Sequence, residues 1–118
     1  MSDLDAIHQL GEGWVGDEAL AIAVYCALRH ADSFEDAVVA AVNHRGDSDS
    51  TGAITGNIMG AALGLEAIPQ RYLDPLELKD VLLELADDLY HDCQMAEHDA
   101  YRDPVWEAKY VRMDYLKK

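Results

Sequence analysis

The chain reads as an all-α protein. Apolar residues recur at helical spacing through its long segments, with no strand-like alternation. The breaks fall at glycines, prolines and Ser/Asp clusters of the kind that start and stop helices. No heptad run, internal repeat or linker divides the 118 residues. They are read as one domain or partial domain over 1–118, a compact helical-bundle portion ending in a polar and aromatic tail over 93–118.

The first short helix is expected over residues 3 to 10, stopped by Gly11. Gly11-Glu12-Gly13-Trp14-Val15-Gly16 is a tight connection. Asp17 and Glu18 supply first-turn acids, which suit the helix dipole, for a helix over Glu18 to His30. Its Ala, Leu, Ile and Val content predicts burial on most sides. Ser33-Phe34-Glu35-Asp36 fits a capping box and opens a helix through Ala37 to Val42.

The next helix follows an Asp-rich loop and carries Gly52, Gly56, Gly60 and Gly64. Each glycine costs up to roughly 1 kcal/mol in a helix interior, so the ladder predicts close backbone packing. Pro69 ends this segment, and Pro75 is expected in the first turn of the following helix. Leu76, Leu78, Val81, Leu82, Leu85 and Leu89 form that helix's apolar stripe.

Charge narrows the possible partners. Twenty-three acidic residues against nine Lys and Arg leave a formal charge of −14. That argues against nucleic acid and anionic membrane, while half the residues being hydrophobic argues against disorder. Cys26 and Cys93 form no close-spaced pair, so reduced thiols and a cytoplasmic location are expected. The acidic opening Met1-Ser2-Asp3 has no basic region or long apolar run of a signal or membrane segment.

The chemistry concentrates in Asn43-His44-Arg45-Gly46-Asp47-Ser48-Asp49-Ser50-Thr51-Gly52. Asp47, Asp49 and Ser50 place two carboxylates and a hydroxyl directly before a helix, and hard divalent cations take such oxygen ligands. Two carboxylates about 4 Å apart repel by roughly 4 kcal/mol at an effective dielectric near 20, a cost that a cation reverses. The other reading is a solvated capping loop, since Asp and Ser favour N-caps. Asp47-x-Asp49-x-Thr51-Gly52 begins like an EF-hand, but Ile58 stands where the bidentate Glu is required. Arg45-Gly46-Asp47 spells an adhesion tripeptide that carries no weight in such a chain.

Taken together, Gly11-Glu12-Gly13-Trp14-Val15, Glu18-Ala19-Leu20-Ala21-Ile22-Ala23, Ala41-Val42-Asn43-His44 and Gly46-Asp47-Ser48-Asp49-Ser50-Thr51-Gly52-Ala53-Ile54-Thr55-Gly56 resemble the ADP-ribosylglycohydrolase family. Leu76-Glu77-Leu78-Lys79-Asp80-Val81 and Leu85-Ala86-Asp87-Asp88-Leu89 resemble its later helix. The likeness implies an all-α hydrolase with a binuclear Mg²⁺ or Mn²⁺ centre. Its substrate class would be an ADP-ribosylated protein or a small ADP-ribosyl compound. Asp47, Asp49 and Ser50 match the family's Asp-x-Asp-Ser/Thr metal motif. Gly13 and Trp14 match a segment lining the ADP-ribose side of the cleft. His44 is expected to hold the Asp loop by hydrogen bonding.

One departure limits what the resemblance implies. The family's other metal motif, Thr/Ser-Asp-Asp-Thr/Ser, and its catalytic glutamate have no counterpart here; Asp87-Asp88 follows Ala86 and reads as an exposed helical face. The chain therefore resembles the C-terminal part of such an enzyme, with half a metal site. Three expectations follow. Catalysis uses a partner chain with the missing motif, or the chain is a non-catalytic helical module, or two copies share the metals. Exposed apolar faces are expected on Ala19 to Leu28 and along the glycine ladder.

Overall fold

The computed structural model describes residues 1–91 and 104–117, and every regular element among them is helical. Helix α1 (Asp3–Leu10) starts at Ser2, whose hydroxyl accepts the Asp5 amide while the Asp5 carboxylate accepts the Ser2 amide. This is a full capping box. Gly11 ends α1 with φ 139°. Helix α2 (Gly16–Arg29) begins two residues earlier than expected. Helix α3 (Phe34–Val42) starts where the Ser33 hydroxyl accepts the Asp36 amide at 3.2 Å. Helix α4 (Ser48–Leu63) runs to Gly64, which leaves the helix with φ 81°.

Beyond it lie a 3-10 turn over Leu65–Ala67 and the single turn α5 (Gln70–Leu73). Helix α6 (Lys79–Tyr90) follows. The short α7 (Pro104–Trp106) runs on as a π-wound turn over Glu107–Val111, and a 3-10 turn covers Asp114–Lys117. Cys93 and Tyr101 lie outside the described residues, as does much of the expected tail.

The chain divides into two compact units, Met1–Leu76 and Glu77–Lys118. In the first, α2, α3 and α4 pack on one another and α1 packs on α2. Ile7, Ile22, Cys26 and Ala41 form one buried cluster. Ala27, Ala37 and Met59 form another, with Phe34, Ile58 and Leu63 against it. Alanine at so many buried positions lets the helix axes approach, and the few large buried side chains then carry most of the burial energy, about 1.5–3 kcal/mol for each Ile or Met. Burial pushes the Cys26 thiol up to about 11.

In the second unit the Lys109 ammonium lies 2.5 Å from both the Glu84 and Asp88 carboxylates, and the Tyr110 hydroxyl donates to Asp88. Those two carboxylates hold Lys109 protonated well above the usual lysine range.

Two expectations about these helices need correction. Pro75 is not in the first turn of α6, because Leu78 takes a left-handed conformation at φ 57° and the helix starts only at Lys79. Leu76 and Leu78 therefore fall outside the helix that was expected to carry them.

The glycine ladder is not a line of close backbone contacts either. A Cβ at Gly52 would meet Val42 Cγ1 at 2.5 Å, but one at Gly56 or Gly60 would meet nothing within 4 Å. The apolar face expected on α2 is exposed, with Leu20, Val24 and Leu28 at 52, 41 and 76 %. No described helix is long and apolar enough to cross a membrane.

Candidate functional site

Asp47 is the N-cap of α4, and its side chain accepts the Ser50 amide at 3.3 Å. This local bond puts Asp47, Asp49 and Ser50 together at the first turn of α4. Asp47 and Ser50 are half-buried and Asp49 is exposed. Contact with the Asp49 carboxyl, followed by the Ser50 hydroxyl, holds Asp47 below the ordinary carboxylate range. Two carboxylates and a hydroxyl at one helix start are oxygen donors of the kind a hard divalent ion takes. The donor set therefore fits one side of a hard divalent ion. Among the described residues no group of three or more His, Cys, Asp or Glu stands close enough to hold a metal by itself.

The loop before α4 is held by a chain of hydrogen bonds. The Gly46 amide donates to His44 Nδ1 at 3.1 Å, which leaves the ring proton on Nε2. Nε2 then donates to Thr51 Oγ1 at 2.9 Å, and the buried Thr51 hydroxyl donates to the Ala41 carbonyl at 2.6 Å. The Ser48 hydroxyl donates to the His44 carbonyl at 3.0 Å. His44 is thus a loop clamp, as expected from the sequence.

The glycine turn lies directly against this loop. The Asp47 amide donates to the Glu12 carbonyl at 2.7 Å. Gly46 is obligatory there, since a Cβ would sit 1.8 Å from the Glu12 oxygen. Gly13, at φ 80°, is buried over Thr51 and Asp47, with its Cβ position 3.0 Å from Thr51 Cγ2. Glu18 Oε2 accepts the amides of both Glu12 and Gly13 at 3.1 Å. Trp14 is 66 % exposed, and its indole N–H donates to Glu12 Oε2 at 3.1 Å.

The structure therefore brings Gly13 against Asp47, at the start of the turn that carries Asp49 and Ser50, and leaves the Trp14 ring exposed and bonded to Glu12. Sequence reasoning missed Glu18, Glu12 and Thr51. Glu18 was legible only as a first-turn acid, whereas its carboxylate actually reaches back over the preceding turn. Neither spacing nor composition signals that contact.

The chain belongs to the ADP-ribosylglycohydrolase family, which matches residues 2–99. It is 40 % identical over 93 residues to an uncharacterized protein of Archaeoglobus fulgidus, covering 76 % of this chain and 30 % of that one. It is 38 % identical over 69 residues to the ADP-ribosylarginine hydrolase Tri1 of Serratia proteamaculans, covering 58 % and 19 %. It is also 38 % identical over 64 residues to the ADP-ribosyl-[dinitrogen reductase] glycohydrolase of Rhodospirillum rubrum, covering 47 % and 22 %. The chain thus spans less than a third of the length of these relatives. No solved structure matches it.

Proposed function

We propose that this chain supplies one side of a metal-dependent ADP-ribosylglycohydrolase site. Asp47, Asp49 and Ser50 hold Mg²⁺ or Mn²⁺, and Gly13 and Trp14 line the ADP-ribose side. The observation that carries this reading is the Asp47–Glu12 backbone bond, which makes the carboxylate loop and the glycine turn one registered unit. A divalent centre would supply a polarised water and a template for the ribose hydroxyls.

This chain's own residues give that centre its shape. Asp47 and Asp49 contribute the negative charge, and Ser50 adds a neutral oxygen. His44 and Thr51 fix the loop, and Glu18 fixes the turn. The reaction is hydrolysis of the glycosidic bond joining ADP-ribose to its acceptor. The relatives' names point to ADP-ribosylated protein, with arginine as one such acceptor. The remaining ligands would come from a Thr/Ser-Asp-Asp-Thr/Ser motif, which these 118 residues do not contain, and the catalytic glutamate from the same earlier half of such an enzyme. Location in the cytoplasm, without nucleic acid or membrane as partner, completes the proposal.

The second reading is a non-catalytic helical module that keeps the loop for packing. It is favoured by the want of a three-ligand cluster among the described residues. A Mn²⁺ titration followed by electron paramagnetic resonance, with Asp49→Ala as control, separates the two. Saturable binding lost in the variant supports the metal site. Binding equal to the variant's means that this chain alone holds at most a half-site, and the second reading stands unless a chain with the missing motif restores binding.

A further inference from the structure

We propose that Arg45 recognises the diphosphate of an ADP-ribosyl ligand, with Glu12 as the internal anion that occupies the guanidinium until the ligand arrives. This inference rests on the reading of the site as an ADP-ribosyl site and names how the ligand's charge is met.

The Glu12 carboxylate is shared by two side chains. Its Oε1 lies 3.0 Å from Arg45 Nε, and its Oε2 accepts the Trp14 indole N–H at 3.1 Å. Meanwhile the Glu12 backbone is bonded to Asp47 on one side and Glu18 on the other. The guanidinium, the indole ring and the Asp loop are therefore registered through a single residue.

Both outer side chains are largely exposed, at 73 % for Arg45 and 66 % for Trp14. An exposed ion pair contributes little to stability, about 0–1 kcal/mol, so exchanging Glu12 for a phosphate oxygen costs little. Arginine's planar fork suits phosphate, and an exposed indole face suits a stacked base.

Charge makes Arg45 the candidate. The Lys and Arg of residues 1–76 are Arg29, Arg45 and Arg71. Arg29 faces Asp3 at the far end of α2, roughly 20 Å along the helix from the turn. Arg71 pairs with Glu35. Around the turn and loop stand Glu12, Asp17, Glu18, Asp47 and Asp49. A diphosphate approaching that surface meets Arg45 as its side-chain cation.

The test is calorimetric titration of the full chain, in the presence of Mn²⁺, with ADP-ribose and separately with adenosine. Arg45→Ala should weaken ADP-ribose binding roughly tenfold, as for loss of a charge-assisted pair, and leave adenosine binding unchanged. Glu12→Gln keeps an acceptor for the Trp14 indole but removes the competing charge, so it should tighten ADP-ribose binding. An Arg45→Ala chain that binds ADP-ribose like the wild type overturns the inference, as does equal weakening for both ligands. No ADP-ribose binding by the wild type also overturns it, whereas the Mn²⁺ titration still decides the metal site independently.

Discussion

The Asp47 amide donates to the Glu12 carbonyl at 2.7 Å, so the first turn of α4 and the turn before α2 share a backbone bond. Gly46 permits it, because the Glu12 oxygen occupies the space where a Cβ would be. Gly46→Ala should destabilise the chain by about 2–3 kcal/mol, as overpacking does in tight sites. Urea denaturation measures this, and hydrogen exchange at the Asp47 amide should accelerate in parallel. An unchanged midpoint would show that the loop can relax around the methyl.

Thr51 is a second point of attachment. Its hydroxyl donates to Ala41 and accepts from His44. Thr51→Val keeps the shape but leaves both partners unsatisfied, at a cost of about 1–3 kcal/mol. Thr51→Ser keeps the hydroxyl and should lie closer to the wild type in thermal unfolding. Equal stability for the two variants would contradict the hydrogen-bond account.

Gly56 predicts the opposite sign. It sits inside α4 with open space at its Cβ position. Gly56→Ala should therefore stabilise the isolated chain, by up to about 1 kcal/mol. Gly52→Ala should gain less or lose, because Val42 Cγ1 stands 2.5 Å from the added methyl. Melting temperatures of the two variants measured side by side decide the matter; the same order reversed would refute it.

Asp3 gives a pH dependence. His30 Nε2 lies 2.8 Å from its carboxylate and the Tyr25 hydroxyl donates to it at 3.0 Å, which together outweigh partial burial and hold Asp3 below its ordinary 3.8. A lowered folded value means that the contribution is fully present above pH 3.8 and is lost as pH falls through the lower folded value. Asp3→Asn should therefore be less stable than the wild type at neutral pH, and the gap should close in acid below that point. A gap that persists unchanged in acid would point to packing of α1 rather than to the ionised carboxylate.

The parts of this protein legible in the sequence are those set by neighbours along the chain. Helix ends at Gly11, Ser33 and Asp47 follow from capping and backbone preferences that act over a few residues. The grouping of Asp47, Asp49 and Ser50 follows likewise from the pitch of one helical turn.

Contacts between distant segments were another matter. A glycine spacing shows which residues share a face but not what opposes that face, so Gly52 and Gly56 proved physically different. Pro75 was compatible with a first turn, and only the left-handed Leu78 placed the helix start beyond it. Thr51 under Gly13 and Arg45 on Glu12 arise when helices fold back on one another. Thus the sequence by itself determined the helices and the carboxylate loop, through interactions within a turn or two. Tertiary packing decided which glycine is obligatory and which cation stands beside the site, because those depend on distances that local preferences do not set.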